Sequence, residues 1–349
     1  MLAELQLRNF RCFETLRVQF EPGFNFVVGQ NGQGKTSILE AACVLLRLQS
    51  QRASTLAPAV RFGEHAFALE GRIENHTLQF RYSALRRKVS LDDIEQRPLG
   101  EYLRLARVVS LANTDIELIR RGSEGRRRYL DFLGTQIDPL YRPTLRAYER
   151  AVRSRNALLK SAQPRPREIA AYDPPLLEHG AKLGAMRARL VERLGPLAAE
   201  AHAQISGVEE DLRLEFAPGN APDFARDLEE SRSRELRLRQ TVVGPHRDDI
   251  ELLVQDKAAS QFASEGQQRT VALALKIAQA RMFAQEEGAA PLLLIDDIFG
   301  ELDPQRRNAL LRHLPPEAQK LVTATTMQWR EGEAPGSVFE LRDRKLAAR

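Results

Sequence analysis

Cysteine and tryptophan are scarce in this chain: two Cys and one Trp in 349 residues, with aromatics at 6%. Cys12 and Cys43 are too few for a disulfide framework and lack metal-site spacing, so both read as reduced, packed thiols and no metal cluster is suggested. No apolar run reaches the roughly 20 residues that cross a bilayer, and Met1-Leu2-Ala3-Glu4-Leu5 lacks the basic-then-apolar form of a signal peptide. The expectation is a cytoplasmic protein with no membrane partner.

What the chain does have is charge. Lys plus Arg number 52 against 47 Asp plus Glu, for a net charge of +5 and a pI near 9.3. Such a surplus suits a polyanion, but an arginine-rich genome produces the same total, so distribution matters more. From Arg120 to Arg193 there are 17 basic and 8 acidic residues, an excess larger than that of the whole chain. Arg120-Arg121 and Arg126-Arg127-Arg128 form tight clusters, and Arg142, Arg146, Arg150 and Arg153 recur at helical spacing as one stripe. A solvated helix face and a phosphate-binding face share that pattern.

The first 110 residues read as strands around one helix: Glu4 to Arg8, Leu16 to Phe20, Phe24 to Val28, a helix after Lys35, then Ala66 to Ile73, Thr77 to Tyr82 and Leu103 to Val109. From about Gly122 to Glu235 helical patterns take over. Leu145, Tyr148 and Val152 form one apolar stripe, and Leu183, Met186, Leu190, Leu194 and Leu197 another; both fit core packing, with a groove for a partner helix as the alternative. Pro164-Arg165-Pro166 and Pro174-Pro175 between them break the helix and predict an antiparallel arm. Strand character resumes over Leu236 to Val243 and Asp249 to Val254. A buried helix from Glu265 to about Gln285 and a central parallel strand over Pro291 to Ile295 follow. The fold class is α/β, with residues 1–115 plus 240–349 as one domain and a helical arm at 116–239 inserted in it.

Gly29-Gln30-Asn31-Gly32-Gln33-Gly34-Lys35-Thr36 carries the strongest chemical signal. Glycines turn successive N–H groups toward phosphate oxygens, Lys35 supplies a point charge, and the Thr36 hydroxyl can ligate Mg²⁺. Chance alone produces these fixed positions in roughly one chain in 100 of this length, and the flanking strand and helix make accident rarer. The loop is read as binding a nucleoside triphosphate. Its partner is the apolar strand ending in Asp296-Asp297: carboxylates leaving such a strand reach Mg²⁺ and the γ-phosphate. Asp296 is expected to hold Mg²⁺, directly or through water, and Asp297 to orient or deprotonate the attacking water. Paired aspartates also serve as helix caps; coexistence with the loop favours chemistry.

Ser264-Glu265-Gly266-Gln267-Gln268-Arg269 is by itself a helix N-cap. With the aspartate-terminated strand about 30 residues on and Glu301-Leu302-Asp303 after it, the order resembles the signature motif, Walker B strand and D-loop of ABC-type ATPases. Leu7-Arg8-Asn9-Phe10-Arg11, Pro22-Gly23-Phe24-Asn25, Arg126 to Asp131, Gly244-Pro245-His246-Arg247-Asp248 and Asp296-Asp297-Ile298-Phe299 resemble the RecF family of bacterial recombination and repair ATPases, relatives of chromosome-maintenance heads. These strings span nearly the whole chain, and the Gly-Pro-His-Arg and Gly-Gln-Gln-Arg strings are the specific ones.

The resemblance implies an ABC-type ATPase head whose helical arm forms lobe II, and an ATP-dependent homodimer. Each ATP would sit between the phosphate loop of one subunit and Ser264, Gly266 and Gln267 of the other. It also implies DNA binding, RecR and RecO as partners in loading recombinase at gaps, a part in the SOS response, and weak, DNA-stimulated ATP hydrolysis. Two departures stand out. Asp297 replaces the usual glutamate and is one methylene shorter, which predicts slow hydrolysis. The switch histidine is missing, since Leu321 to Ala324 runs into Thr325-Thr326. A transporter ATPase subunit is the competing reading, but it would be shorter, with that histidine and no basic arm. A nuclease of the overcoming-lysogenization type needs more chain after Asp297, and a full chromosome-maintenance protein a long coiled coil.

Overall fold

The fold begins with β1 (Leu2–Phe10), whose Leu2, Leu5, Leu7 and Phe10 are all but inaccessible; a register shift against its neighbour between Leu2 and Glu4 interrupts the two-residue alternation that Leu5 and Leu7 follow. The computed structural model describes residues 1–53, 55–207, 210–286, 290–328 and 336–348. The further strands are β2 (Phe13–Gln19), β3 (Phe24–Val28), β4 (Ala66–Ile73), β5 (His76–Ser83), β6 (Arg87–Leu91), β7 (Ile94–Glu95), β8 (Val108–Ala112), β9 (Leu212–Ala217), β10 (Asp249–Val254), β11 (Lys257–Ala258), β12 (Leu292–Asp296), β13 (Gln319–Ala324), β14 (Gly336–Arg342) and β15 (Lys345–Ala348). The chain divides into two compact units, Met1–Asp115 with Gln279–Arg349, and Ile116–Ala278.

The first unit holds two sheets, an antiparallel one in the order β2-β1-β4-β5-β6-β7 and a second in the order β15-β14-β3-β13-β12-β8. In the second, β14, β3, β13, β12 and β8 run parallel and β15 closes one edge antiparallel. Parallel strands are apolar on both faces because both are covered; accordingly Leu292, Leu293, Leu294 and Ile295 of β12 are all buried. The helix Lys35–Arg47 packs against strands of both sheets. That position explains why Ile38, Ala41, Ala42, Val44 and Leu45 have no exposed surface, each large side chain contributing about 1.5–3 kcal/mol. The helix stops at Leu48, whose N–H still donates to the Val44 carbonyl and whose left-handed backbone turns the following chain out of the helix.

The second unit contains the antiparallel helix pair that the proline breaks foretold. Helices Tyr141–Leu159 and Asp173–Ser206 meet at Tyr141 with Arg187 (3.3 Å) and at Arg155 with Asp173 (3.1 Å), so one runs back along the other. Pro174 and Pro175 stand in the first turn of the second helix, where a missing N–H costs nothing. Their buried stripes are not purely apolar, however. Arg155 donates to Asp173, Glu235 and Thr241, and Arg187 to Asp131, Asp248 and the Pro245 carbonyl. Leu145, Val152, Met186 and Leu197 are only half-buried.

Three expectations are corrected here. Leu103 to Val109 is not a strand: a short helix occupies Gly100–Arg104 and the strand starts at Val108. Leu236 to Val243 is not a strand either. Helix Arg232–Leu238 covers its start, and the Glu235 side chain accepts from Arg155 and from the N–H of Val242, drawing the chain into a turn. The mainly helical segment also contains a strand that the helical reading passed over, β9, whose Leu212, Leu214 and Phe216 alternate and pair antiparallel with β10. That pairing carries residues 240–278 into the second unit, so the break falls after Ala278 rather than at 239.

Candidate nucleotide-binding site

Strand register assembles the site. Asp296 of β12 lies opposite Thr323 of β13 and Ala112 of β8, and Ala324 lies opposite Val28, the residue before the phosphate loop. Four parallel strands thus end at one level and bring Gly29 to Thr36, Asp296-Asp297, Asn113 and Thr325 to their carboxyl edge, where open α/β sheets hold ligands.

Glycine is obligatory at two positions of the loop. Gly34 has φ 107°, and a Cβ there would lie 2.6 Å from Cys12 Sγ and 2.8 Å from Phe13 Cζ; a Cβ at Gly29 would lie 2.5 Å from the Leu341 carbonyl oxygen. Lys35, 6% exposed, donates to the carbonyls of Gly29 (2.5 Å) and Gln30 (3.1 Å) and to Asn31 Oδ1 (3.4 Å). Its ammonium therefore lies inside the arc of the loop. Burial lowers its pKa below the ordinary lysine range, while the Asp297 and Asp296 carboxylates work to raise it. No side chain caps the N-terminus of the helix that begins at Lys35, which leaves its dipole and N–H groups to an anion.

Thr36 Oγ1 donates to Asp296 Oδ1 at 2.9 Å, and Thr323 Oγ1 donates to the same oxygen at 2.7 Å. A hydroxyl and a carboxylate converging on one point are the hard oxygen donors that Mg²⁺ selects.

Asp297 leaves β12 with φ 50°, a backbone state that costs a non-glycine residue about 1–3 kcal/mol. It is held from three sides. Its N–H donates to Thr323 Oγ1 (3.0 Å), its carbonyl accepts from Asn113 Nδ2 (3.1 Å), and its carboxylate accepts from the N–H (3.2 Å) and Oγ1 (3.0 Å) of Thr325. Thr325 Oγ1 also lies 3.1 Å from Asn31 Oδ1, tying the end of β13 to the phosphate loop. Thr325 thus stands at the position where sequence reasoning found no histidine. Asn113 and Thr323 escaped that reasoning altogether: Asn113 follows a strand whose bounds were misjudged, and Thr323 reads as an ordinary buried strand residue. A polar residue in register with Asp296 was the available signal.

Ser264, Gly266 and Gln267 lie in the second unit, at the start of helix Glu265–Gln285. The Ser264 N–H donates to Gln267 Oε1 (2.8 Å) and the Gln267 N–H to Ser264 Oγ (3.3 Å). The N-cap reading is thus met by a reciprocal capping box.

The basic clusters are largely neutralised at home. Arg120 pairs with Glu265, Arg121 with Glu117, Arg126 with Asp249 and Arg128 with Glu124, while Arg127 donates to Ser123 and the Asp248 carbonyl. On the stripe, Arg153 pairs with Glu149. Arg146 and Arg150 are exposed and pair with no described carboxylate. His246 of the Gly-Pro-His-Arg string is an internal brace: its Nε2–H donates to the Thr241 carbonyl (3.0 Å), so Nδ1 accepts from Tyr148 OH (2.7 Å). Burial pushes its pKa down to about 4.

A family model described as "AAA domain" matches residues 4–130. The DNA replication and repair protein RecF of Symbiobacterium thermophilum is 37% identical, the match covering 98% of this chain and 96% of that one; RecF of Bacillus cytotoxicus is 33% identical over 95% and 94%. The chain belongs to the RecF family. Its backbone also follows that of the recombination mediator RecF-ATP in the RecFOR pathway (TM-score 0.90, 28% identity, covering 100% of this chain and 97% of that one). An Smc head domain bound to the C-terminal domain of ScpA, from Pyrococcus furiosus, shares the fold alone (TM-score 0.55, 17% identity, 100% and 96% covered). The protein is therefore an α/β ABC-type ATPase head with a largely helical insertion, as its motifs implied. Among its described residues no helix is long and apolar enough to cross a membrane.

Proposed function

We propose that this RecF-family chain binds and slowly hydrolyses ATP, and that ATP binding joins two copies into a clamp on DNA. The convergence of Thr36 Oγ1 and Asp296 Oδ1 carries this reading, because a triphosphate on the loop Gly29–Thr36 needs a hard cation at that point. When bound, Mg²⁺ would neutralise charge building on the phosphate oxygens. Gly29, Gln30, Asn31, Gly32, Gln33 and Gly34 wrap the phosphates with backbone N–H groups, and Lys35 supplies the positive charge. Asp297, fixed by Thr325, orients or deprotonates the attacking water; its short side chain keeps turnover slow.

Ser264, Gly266 and Gln267 act in trans, closing over the nucleotide of the second copy with the dipole of their helix. The exposed Arg146 and Arg150 contact DNA phosphates without base reading, so binding is salt-dependent and weakly selective. DNA stimulates hydrolysis, which resets the clamp. RecR and RecO are the partners in recombinase loading at gaps and in the SOS response, and the work is cytoplasmic. Mixing a Lys35→Met chain with a Ser264→Arg chain tests the shared site: each is inactive alone, and the mixture recovers part of the ATPase activity through one intact composite site. No recovery would sink the trans arrangement.

A further inference from the structure

The signature segment is anchored by two residues that belong to none of its motifs. Glu210 follows helix Asp173–Ser206, and its Oε1 accepts from Gln267 Nε2 at 2.6 Å. Arg120 anchors the neighbouring residues, with Nε donating to Gln268 Oε1 (2.8 Å) and Nη2 lying 3.1 Å from Glu265 Oε2. Gln268 Nε2 in turn donates to the Ala263 carbonyl at 3.1 Å.

The Gln267 amide spans two partners, and its two ends differ in kind. Its oxygen accepts from the Ser264 N–H while its nitrogen donates to Glu210. An ionised carboxylate can only accept, and a backbone N–H can only donate. Turning the amide over would set oxygen against oxygen and N–H against N–H, losing both bonds. Glu210 therefore selects the amide orientation that holds Ser264. Its carboxylate is 18% exposed, and its other oxygen faces His202 Nε2 at 3.9 Å, beyond hydrogen-bond length. Gln267 is thus the group the geometry engages directly.

We infer that Glu210 is a positioning residue for the signature, holding Ser264 through Gln267 in the form that meets a second copy's nucleotide. The inference rests on the trans reading of Ser264. Its test compares Glu210→Ala, Glu210→Gln and Ser264→Arg in the full chain. Sedimentation with a non-hydrolysable ATP analogue gives the dimer constant, titration at low protein concentration gives nucleotide affinity, and kcat, KM and melting temperature are measured alongside.

Loss of a charge-assisted bond in Glu210→Ala weakens dimerisation roughly tenfold or more and lowers kcat, with nucleotide affinity and melting temperature held. Glu210→Gln restores most of both, since its amide oxygen can accept from Gln267. The inference is overturned if Glu210→Ala leaves dimerisation and kcat intact while Ser264→Arg abolishes them, or if Glu210→Ala lowers nucleotide affinity and melting temperature together, as a structural role would. Dimerisation that survives Ser264→Arg overturns the trans reading and this inference with it.

Discussion

Acidification should destabilise this protein through one buried imidazole. His246 has a folded-state pKa of about 4, against about 6.5 for an exposed histidine. Burial is the main cause, and the positive charges of Arg247, Arg127 and Arg155 act in the same direction, outweighing the hydrogen bond to the Thr241 carbonyl. Because the unfolded chain takes up the proton first, the contribution is intact above about pH 6.5 and is lost progressively down to about pH 4. At about 1.4 kcal/mol per pH unit, the difference amounts to about 3 kcal/mol. The readout is the ring Cε1 resonance of His246, assigned by its loss in His246→Gln. It should stay at the neutral position from about pH 7.5 to pH 5. Urea unfolding should show His246→Gln less stable than the parent at neutral pH, with the gap closing as pH falls to about 4. A resonance that titrates near pH 6.5, or a stability gap independent of pH, would refute the reasoning.

Three further outcomes are expected. Gly34→Ala forces a side chain onto φ 107° and against Cys12 and Phe13, so ATP affinity measured calorimetrically should fall by about 1–3 kcal/mol; unchanged affinity contradicts the loop geometry. Arg187→Ala leaves Asp248, 1% exposed, without its cation and should cost about 3–5 kcal/mol of stability in chemical denaturation; a loss near zero would mean the network is not integral. Arg146→Glu with Arg150→Glu should lower the salt slope of DNA binding by about one per lost phosphate contact. Arg126→Gln, whose guanidinium Asp249 already holds, should leave that slope unchanged.

The phosphate loop, the apolar strand ending in Asp296-Asp297 and the helix from Glu265 were legible because each depends on consecutive residues. Glycines shape a turn, a run of leucines marks a doubly covered strand, and a serine caps the helix it precedes. Asn113, Thr323 and Thr325 were not legible in their roles, since only the register of β8, β12 and β13 brings them to Asp297. The same holds for Arg155 and Arg187, which occupy buried stripes that periodicity describes as apolar and which are tolerated there because carboxylates from elsewhere in the chain meet them.

Charge shows the division most clearly. The order of residues alone determined that the excess lies between Arg120 and Arg193, and contiguous motifs alone pointed to the RecF family. Only the tertiary structure decided which arginines remain available, because pairing depends on partners such as Asp249, 123 residues from Arg126. Local chemistry is written along the backbone, whereas desolvation and ion pairing are properties of neighbours in space.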